Sequence, residues 1–168
     1  MLPKAFLFSI ALIACLTAPS LAAPLQSPEG PVMLTITGKI TQTNADGRAE
    51  FDRAMLDALP QHTTRSETPW YDGVQDFSGP EMLALLELVG ATGDTVTVTA
   101  LNDYSSQIPF EDFRDYNIIL ANRLNGEILS VRDKGPSFVI YPFDEHRELY
   151  NEVTFGRSVW QVTAISVD

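Results

Sequence analysis

Thr68-Pro69-Trp70-Tyr71-Asp72-Gly73, running on to Phe77-Ser78-Gly79-Pro80, is the stretch on which the reading of this chain turns. Pro69 and the Asp72-Gly73 pair mark a turn, and a turn can present an aromatic side chain to a ligand or fold over it. Trp70 is expected as a stacking platform, with a core plug under the loop as its competing role. Ser78 to Glu81 then reads as a capping box, with Pro80 in the first turn of a helix. Met82, Leu83, Leu85, Leu86 and Val89 supply its apolar face, and Gly90 stops it.

Upstream, Val32 to Lys39 is β-branched and partly alternating, as a first strand would be. Asn44-Ala45-Asp46-Gly47 supplies a turn. Phe51, Ala54, Met55, Ala58 and Leu59 then fall at helical spacing before Pro60, and Thr63 to Thr68 leads as a strand into the aromatic turn. Downstream, Thr95 to Leu101 alternates Thr with Val or Ala, the pattern of a half-buried strand. Ile118 to Ala121 and Glu127 to Val131 flank Asn125-Gly126, a tight-hairpin dipeptide. Ser137 to Tyr141 and Ser158 to Val167 are expected as strands, with short helical turns at Phe110 to Tyr116 and Asp144 to Glu152. Strands and helices interleave without regular alternation, so an α+β class is favoured over a doubly wound one.

The chain has 168 residues, 45% of them apolar and 20% charged, which suits one domain with one core over residues 32–168. Residues 1–22 read as an export signal, with Lys4 as the positive start, Ala5 to Leu16 as the apolar run and Ser20-Leu21-Ala22 as the cleavage site. That run falls short of the roughly 20 residues a membrane span needs, so the mature chain is expected without a transmembrane segment, in the periplasm. Leu12-Ile13-Ala14-Cys15 also matches a lipoprotein pattern, the minority alternative. Residues 23–31 hold three prolines and a glycine and read as an extended leader, poorly ordered unless docked. Losing Lys4 with the signal moves the formal net charge from −11 to −12, which disfavours nucleic acid and anionic lipid as partners.

Dinucleotide, P-loop and zinc-protease signatures are missing from the sequence. His62 and His146 are the only histidines and Cys15 the only cysteine, too few for a structural zinc site in the mature chain. No nucleophile-elbow sequence supports a serine hydrolase.

The aromatic turn is followed by Leu101-Asn102-Asp103-Tyr104 with Pro109, by Lys134-Gly135-Pro136 with Pro142, and by Val159-Trp160-Gln161. In this order the four tracts resemble the molybdopterin-binding domain superfamily typified by sulfite oxidase. The resemblance covers most of the mature chain and implies a mixed-sheet α+β fold with a few short helices. It implies a pterin pocket as well. In that family a cysteine thiolate normally ligates molybdenum, a soft ligand on a transition metal, and here the mature chain offers none. The resemblance therefore points toward the small periplasmic branch that lacks the thiolate, similar to pterin-responsive regulators of biofilm formation and cyclic di-GMP signalling. Members of that branch are thought to report a pterin to a membrane diguanylate cyclase, phosphodiesterase or histidine kinase.

A pterin has a planar ring whose amino edge donates two hydrogen bonds. A carboxylate accepts both while an aromatic side chain stacks on the face, and Asp103, beside Asn102, with Trp70 or Tyr104 as platform, supplies those types. Arg132 and Lys134 form a local basic element where the family needs cations for a phosphate tail. The family's arginine on the next strand is replaced here by Ser137-Phe138, which weakens the phosphate-bearing cofactor and suits an unphosphorylated pterin with Phe138 as a pocket wall, while the missing thiolate and the presence of only two histidines disfavour molybdenum. Two other readings stay open: a molybdenum oxidoreductase with a non-cysteine ligand, and a ligand-free scaffold that only binds a partner. Turns and caps account for Asp103 and for the basic element if neither touches a ligand.

Overall fold

Leu34 and Ile36 alternate with half-buried threonines, which fixes the inward face of β1 (Leu34–Gly38). The computed structural model describes residues 24–168; the expected export signal and Cys15 lie outside the described residues. β1 pairs antiparallel with β2 (Ala49–Phe51) across the expected Asp46-Gly47 turn. Phe51 thus belongs to a strand, and the expected helix is confined to α1 (Arg53–Asp57), opened by Asp52, whose Oδ1 accepts from the Met55 N–H at 2.9 Å. The other oxygen of Asp52 accepts from the Glu29 and Gly30 N–H groups at 2.9 and 2.8 Å. The Asn44 amide donates to the Gln26 carbonyl at 2.6 Å, and Leu25 packs on the core, so the leader is docked.

A long hairpin follows, β3 (Gln61–Thr68) and β4 (Tyr71–Pro80), registered from Gln61 opposite Pro80 to Thr68 opposite Tyr71. Ser78 and Pro80 are therefore strand residues and form no capping box. Helix α2 (Met82–Leu88) starts at Glu81, which makes no side-chain cap bond. Polar residues at Asp72, Gln75 and Asp76 hide the strand period of β4, whose buried positions are Phe77, Gly79 and Pro80. Gly79 is required there: a methyl group would overlap the Leu120 carbonyl oxygen of the crossing strand β7 (Ile119–Ala121). The expected stop of α2 at Gly90 is present, with Gly90 at φ +62°.

The alternation in Thr95 to Leu101 yields β5 (Thr95–Ala100), which pairs antiparallel with β6 (Ser105–Pro109). α3 (Phe110–Asp115) continues directly from it. Asn125-Gly126 does turn a hairpin, but its arms are β8 (Arg123–Leu124) and β9 (Glu127–Ile128). Ile119–Ala121 pairs elsewhere, with β10 (Phe138–Ile140), because all six residues are buried and need a fully covered partner. A 3₁₀ turn at Val131–Asp133 and a cis Gly135–Pro136 bond lead into β10, and α4 (Glu152–Arg157) precedes β11 (Val162–Val167).

These elements form a five-stranded sheet ordered β2-β1-β11-β5-β6, a four-stranded sheet ordered β3-β4-β8-β9, and the β10-β7 pair. Within the first sheet β1 and β11 are parallel and their other partners antiparallel. The inward residues of that sheet and of α1 and α2 share one apolar core, and Phe77, Ile119, Leu129, Phe138 and Ile140 make a second, smaller one. Trp70 packs against both.

Asp57 ties α1 to β8. Its carboxylate accepts from Arg123 Nη1 and Nη2 at 3.0 and 2.9 Å, and from the Asn122 amide at 3.0 Å. The Arg123 hydrogen bonds hold the Asp57 carboxyl below the usual carboxylate range, opposed by partial burial and helped by Asn122. A depressed carboxyl pKa adds stability above the unfolded value of about 4, and that stability is lost as pH falls through the folded value. The melting temperature should thus drop below about pH 4, and Asp57→Asn should flatten that drop, measured by calorimetry across the acid range. Both side chains are about one third exposed, so the pair contributes on the order of 1 kcal/mol or less.

Candidate functional site

A cleft of about 300 Å³ opens where the ends of several elements meet. Its aromatic walls are Trp70 from the β3–β4 hairpin tip, Tyr104 from the β5–β6 turn, Phe155 from α4 and Trp160 from the approach to β11. Both tryptophans of the chain are therefore in one site. Trp70 meets Phe155 and Trp160 edge-on, with ring centroids 5.8 and 6.1 Å apart, and rests on Phe138 and Phe143 at 5.2 and 6.2 Å. Trp160 is 38% exposed and Tyr104 50%, so they form the open side.

The β5–β6 turn is tight. Ala100 N donates to the Tyr104 carbonyl at 2.8 Å and Asp103 N to the Ala100 carbonyl at 3.1 Å, with Asp103 at φ +66°. The Tyr104 hydroxyl crosses to the Gly156 carbonyl at 2.9 Å and joins this turn to α4. The helix is capped by Asn151, whose side-chain oxygen accepts from Val153 and Thr154 N–H groups. It is anchored at its other end by Arg157, which donates to Asp112 at 2.9 Å. The buried Tyr141 hydroxyl donates to the same Asp112 oxygen at 2.8 Å, and burial pushes that phenol far above its usual range, with the Asp112 charge adding to it.

Of the residues expected from the sequence, Trp70, Asn102 and Tyr104 line the cleft together. Asp103 stands exposed on the same turn, between two lining residues. Phe138 is corrected: it is fully buried in β10 behind Trp70, supports the wall and does not form it. The ammonium of Lys134 lies 4.4 Å from the Tyr71 ring centroid and 6.0 Å from that of Trp160, at the mouth. Arg132 is exposed in the neighbouring 3₁₀ turn and outside the lining set. Phe155, Gly156, Ser158 and Trp160 were not anticipated as site residues. Trp160 had a signal, since a second tryptophan beside a strand that ends the fold is as conspicuous as the first.

The donor set does not suit a soft transition metal. Its side-chain oxygens are neutral, and the Tyr104 and Ser158 hydroxyls already donate to the Gly156 and Thr154 carbonyls. Among the described residues, no three His, Cys, Asp or Glu side chains converge on one point. The walls do fit a planar ring system: several aromatic faces and edges with few polar groups between them.

No family model matches the sequence, and no curated protein matches it. Among solved structures, the crystal structure of the sulfane dehydrogenase SoxCD from Paracoccus pantotrophus superposes with a TM-score of 0.61 over 80% of this chain, at 19% identity. The fold is of the sulfite oxidase type. This meets the expectation of a mixed-sheet α+β domain with short helices, and the likeness concerns the fold alone. The chain spans 37% of the SoxCD chain it matches, so the sulfite oxidase-type fold here corresponds to part of that longer protein.

Proposed function

We propose that the cleft binds a pterin, metal-free and unphosphorylated, and that the domain is a non-catalytic periplasmic sensor. In this reading it reports the ligand to the periplasmic part of a membrane diguanylate cyclase, phosphodiesterase or histidine kinase. The observation that carries it is the convergence of Trp70, Tyr104, Phe155 and Trp160 around one cleft of about 300 Å³, a size and lining suited to a small planar ligand. The sulfite oxidase-type fold and the neutral donor set add support.

The competing reading, a molybdenum oxidoreductase with a non-cysteine ligand, draws on the fold it shares with a sulfane dehydrogenase. Protein purified from its native host and then denatured separates the two. Release of a fluorescent pterin by mass spectrum, with molybdenum far below one per chain, is the expected result. Near-equimolar molybdenum would overturn the sensor. A finer test concerns Asp103, whose carboxylate is offered to the pterin amino edge from the rim. Asp103→Asn should weaken pterin binding about tenfold in calorimetry while melting is unchanged. Equal affinity would remove Asp103 from the site.

A further inference from the structure

Among the described residues, three of the four non-glycine residues with positive φ lie beside lining residues of this cleft: Asp103 between Asn102 and Tyr104, Gln161 next to Trp160, and Lys134 near the Trp160 ring, at +66°, +55° and +70°. Such backbone is costly for side chains other than glycine and persists where surroundings enforce it. Gln161 is where the three rim segments meet. Its N–H donates to the Lys134 carbonyl at 2.9 Å, and its carbonyl accepts from the Leu101 N–H at 2.9 Å. Its side-chain amide donates to the Val131 carbonyl at 2.8 Å. One residue thus joins the β5–β6 turn, the 131–134 loop and the segment carrying Trp160.

We propose that Gln161 is a positioning residue for the cleft, holding Trp160 in place against Trp70 and fixing Lys134 at the mouth. This rests on the reading of the cleft as a ligand site. The backbone bonds of Gln161 are available to any residue that tolerates its φ, whereas the bond to Val131 needs an amide on a side chain of this length. Glycine adopts the same backbone without steric cost. Gln161→Gly therefore removes the Val131 link and relieves the strain while the two backbone bonds remain available. Gln161→Asn also tolerates positive φ but is one methylene short, so it should resemble the glycine variant.

The full mature chain, carrying fluorinated tryptophan, gives one fluorine resonance for each of its two tryptophans, assigned with Trp70→Phe and Trp160→Phe. In Gln161→Gly the Trp160 resonance should shift or broaden while that of Trp70 moves much less, with the melting temperature close to the parent's. Unsubstituted pterin, titrated by calorimetry, should bind about tenfold more weakly, equivalent to about 1.4 kcal/mol. An unmoved Trp160 resonance overturns the proposal, as does undiminished pterin affinity in the variant. Should the parent not bind pterin at all, the ligand reading fails by itself, and the fluorine spectrum still decides whether Gln161 positions Trp160.

Discussion

Trp70→Ala is expected to lower stability by roughly 3 kcal/mol and to abolish measurable pterin binding. Two roles were set against each other for this residue, plug and platform, and its surroundings give it both. The indole touches Phe138, Phe143, Phe155 and Trp160 and packs on both apolar cores, so its removal leaves a void at the junction of the two. Large-to-small changes of this kind cost about 3–5 kcal/mol when fully buried, and the half-burial of Trp70 puts it at the low end. Trp160 is the contrast. It is 38% exposed, so Trp160→Ala should melt close to the parent yet lose about 1–3 kcal/mol of stacking, by analogy with bases on aromatic platforms. Urea unfolding and calorimetry on both variants check the pair; a Trp70→Ala protein of parental stability would mean that the packing around the indole is slack.

Asp112→Ala should cost about 3 kcal/mol, although Asp112 is not itself among the residues lining the cleft. Its Oδ2 is the shared acceptor of the buried Tyr141 hydroxyl and of Arg157. Removing it strands a phenol inside the protein and a guanidinium that is 26% exposed. Because Arg157 ends α4, which brings Phe155 and Gly156 to the cleft, binding should weaken with stability. Asp112→Asn retains an acceptor oxygen and should lose less. Combining Asp112→Ala with Tyr141→Phe should recover part of the loss, since taking away both partners removes the stranded hydroxyl. Additive losses in that double variant, read by urea unfolding, would show that the hydroxyl finds another acceptor.

Sequence patterning revealed the elements whose neighbours are uniform. β1 and β5 alternate because one face meets the core and the other is partly open, and α2 repeats Met82, Leu85 and Leu86 because one stripe is buried. β4 was misread at Ser78-Gly79-Pro80, since a glycine chosen for close passage of β7 and a proline at a strand end look like helix-start punctuation. β6 went unseen: Ser105-Ser106-Gln107-Ile108-Pro109 is a sheet edge with one buried apolar residue before its proline. At the site, Trp70, Asn102 and Tyr104 stood out as loop aromatics and turn residues. Phe155 and Gly156 did not. They owe their place to contacts with residues far earlier in the chain, Phe155 with the Trp70 ring and Gly156 with the Tyr104 hydroxyl, which no local period encodes. Phe138 erred the other way, as a residue of the right type whose neighbour Trp70 takes the exposed position.

The central place of β11 in the larger sheet has a consequence for how the chain is made. β11 lies between β1 and β5, with Thr35 opposite Ala164 and Val98 opposite Ile165. Until residues 162–167 leave the ribosome, β2-β1 and β5-β6 are separate two-stranded fragments, and such pairs are marginal by themselves. At about 5–20 residues per second, the first strand waits on the order of ten seconds for its parallel partner. A nascent chain of this protein stays threadable and open to proteases or holding chaperones until residues 162–167 emerge, because only then can the two fragments join into one sheet.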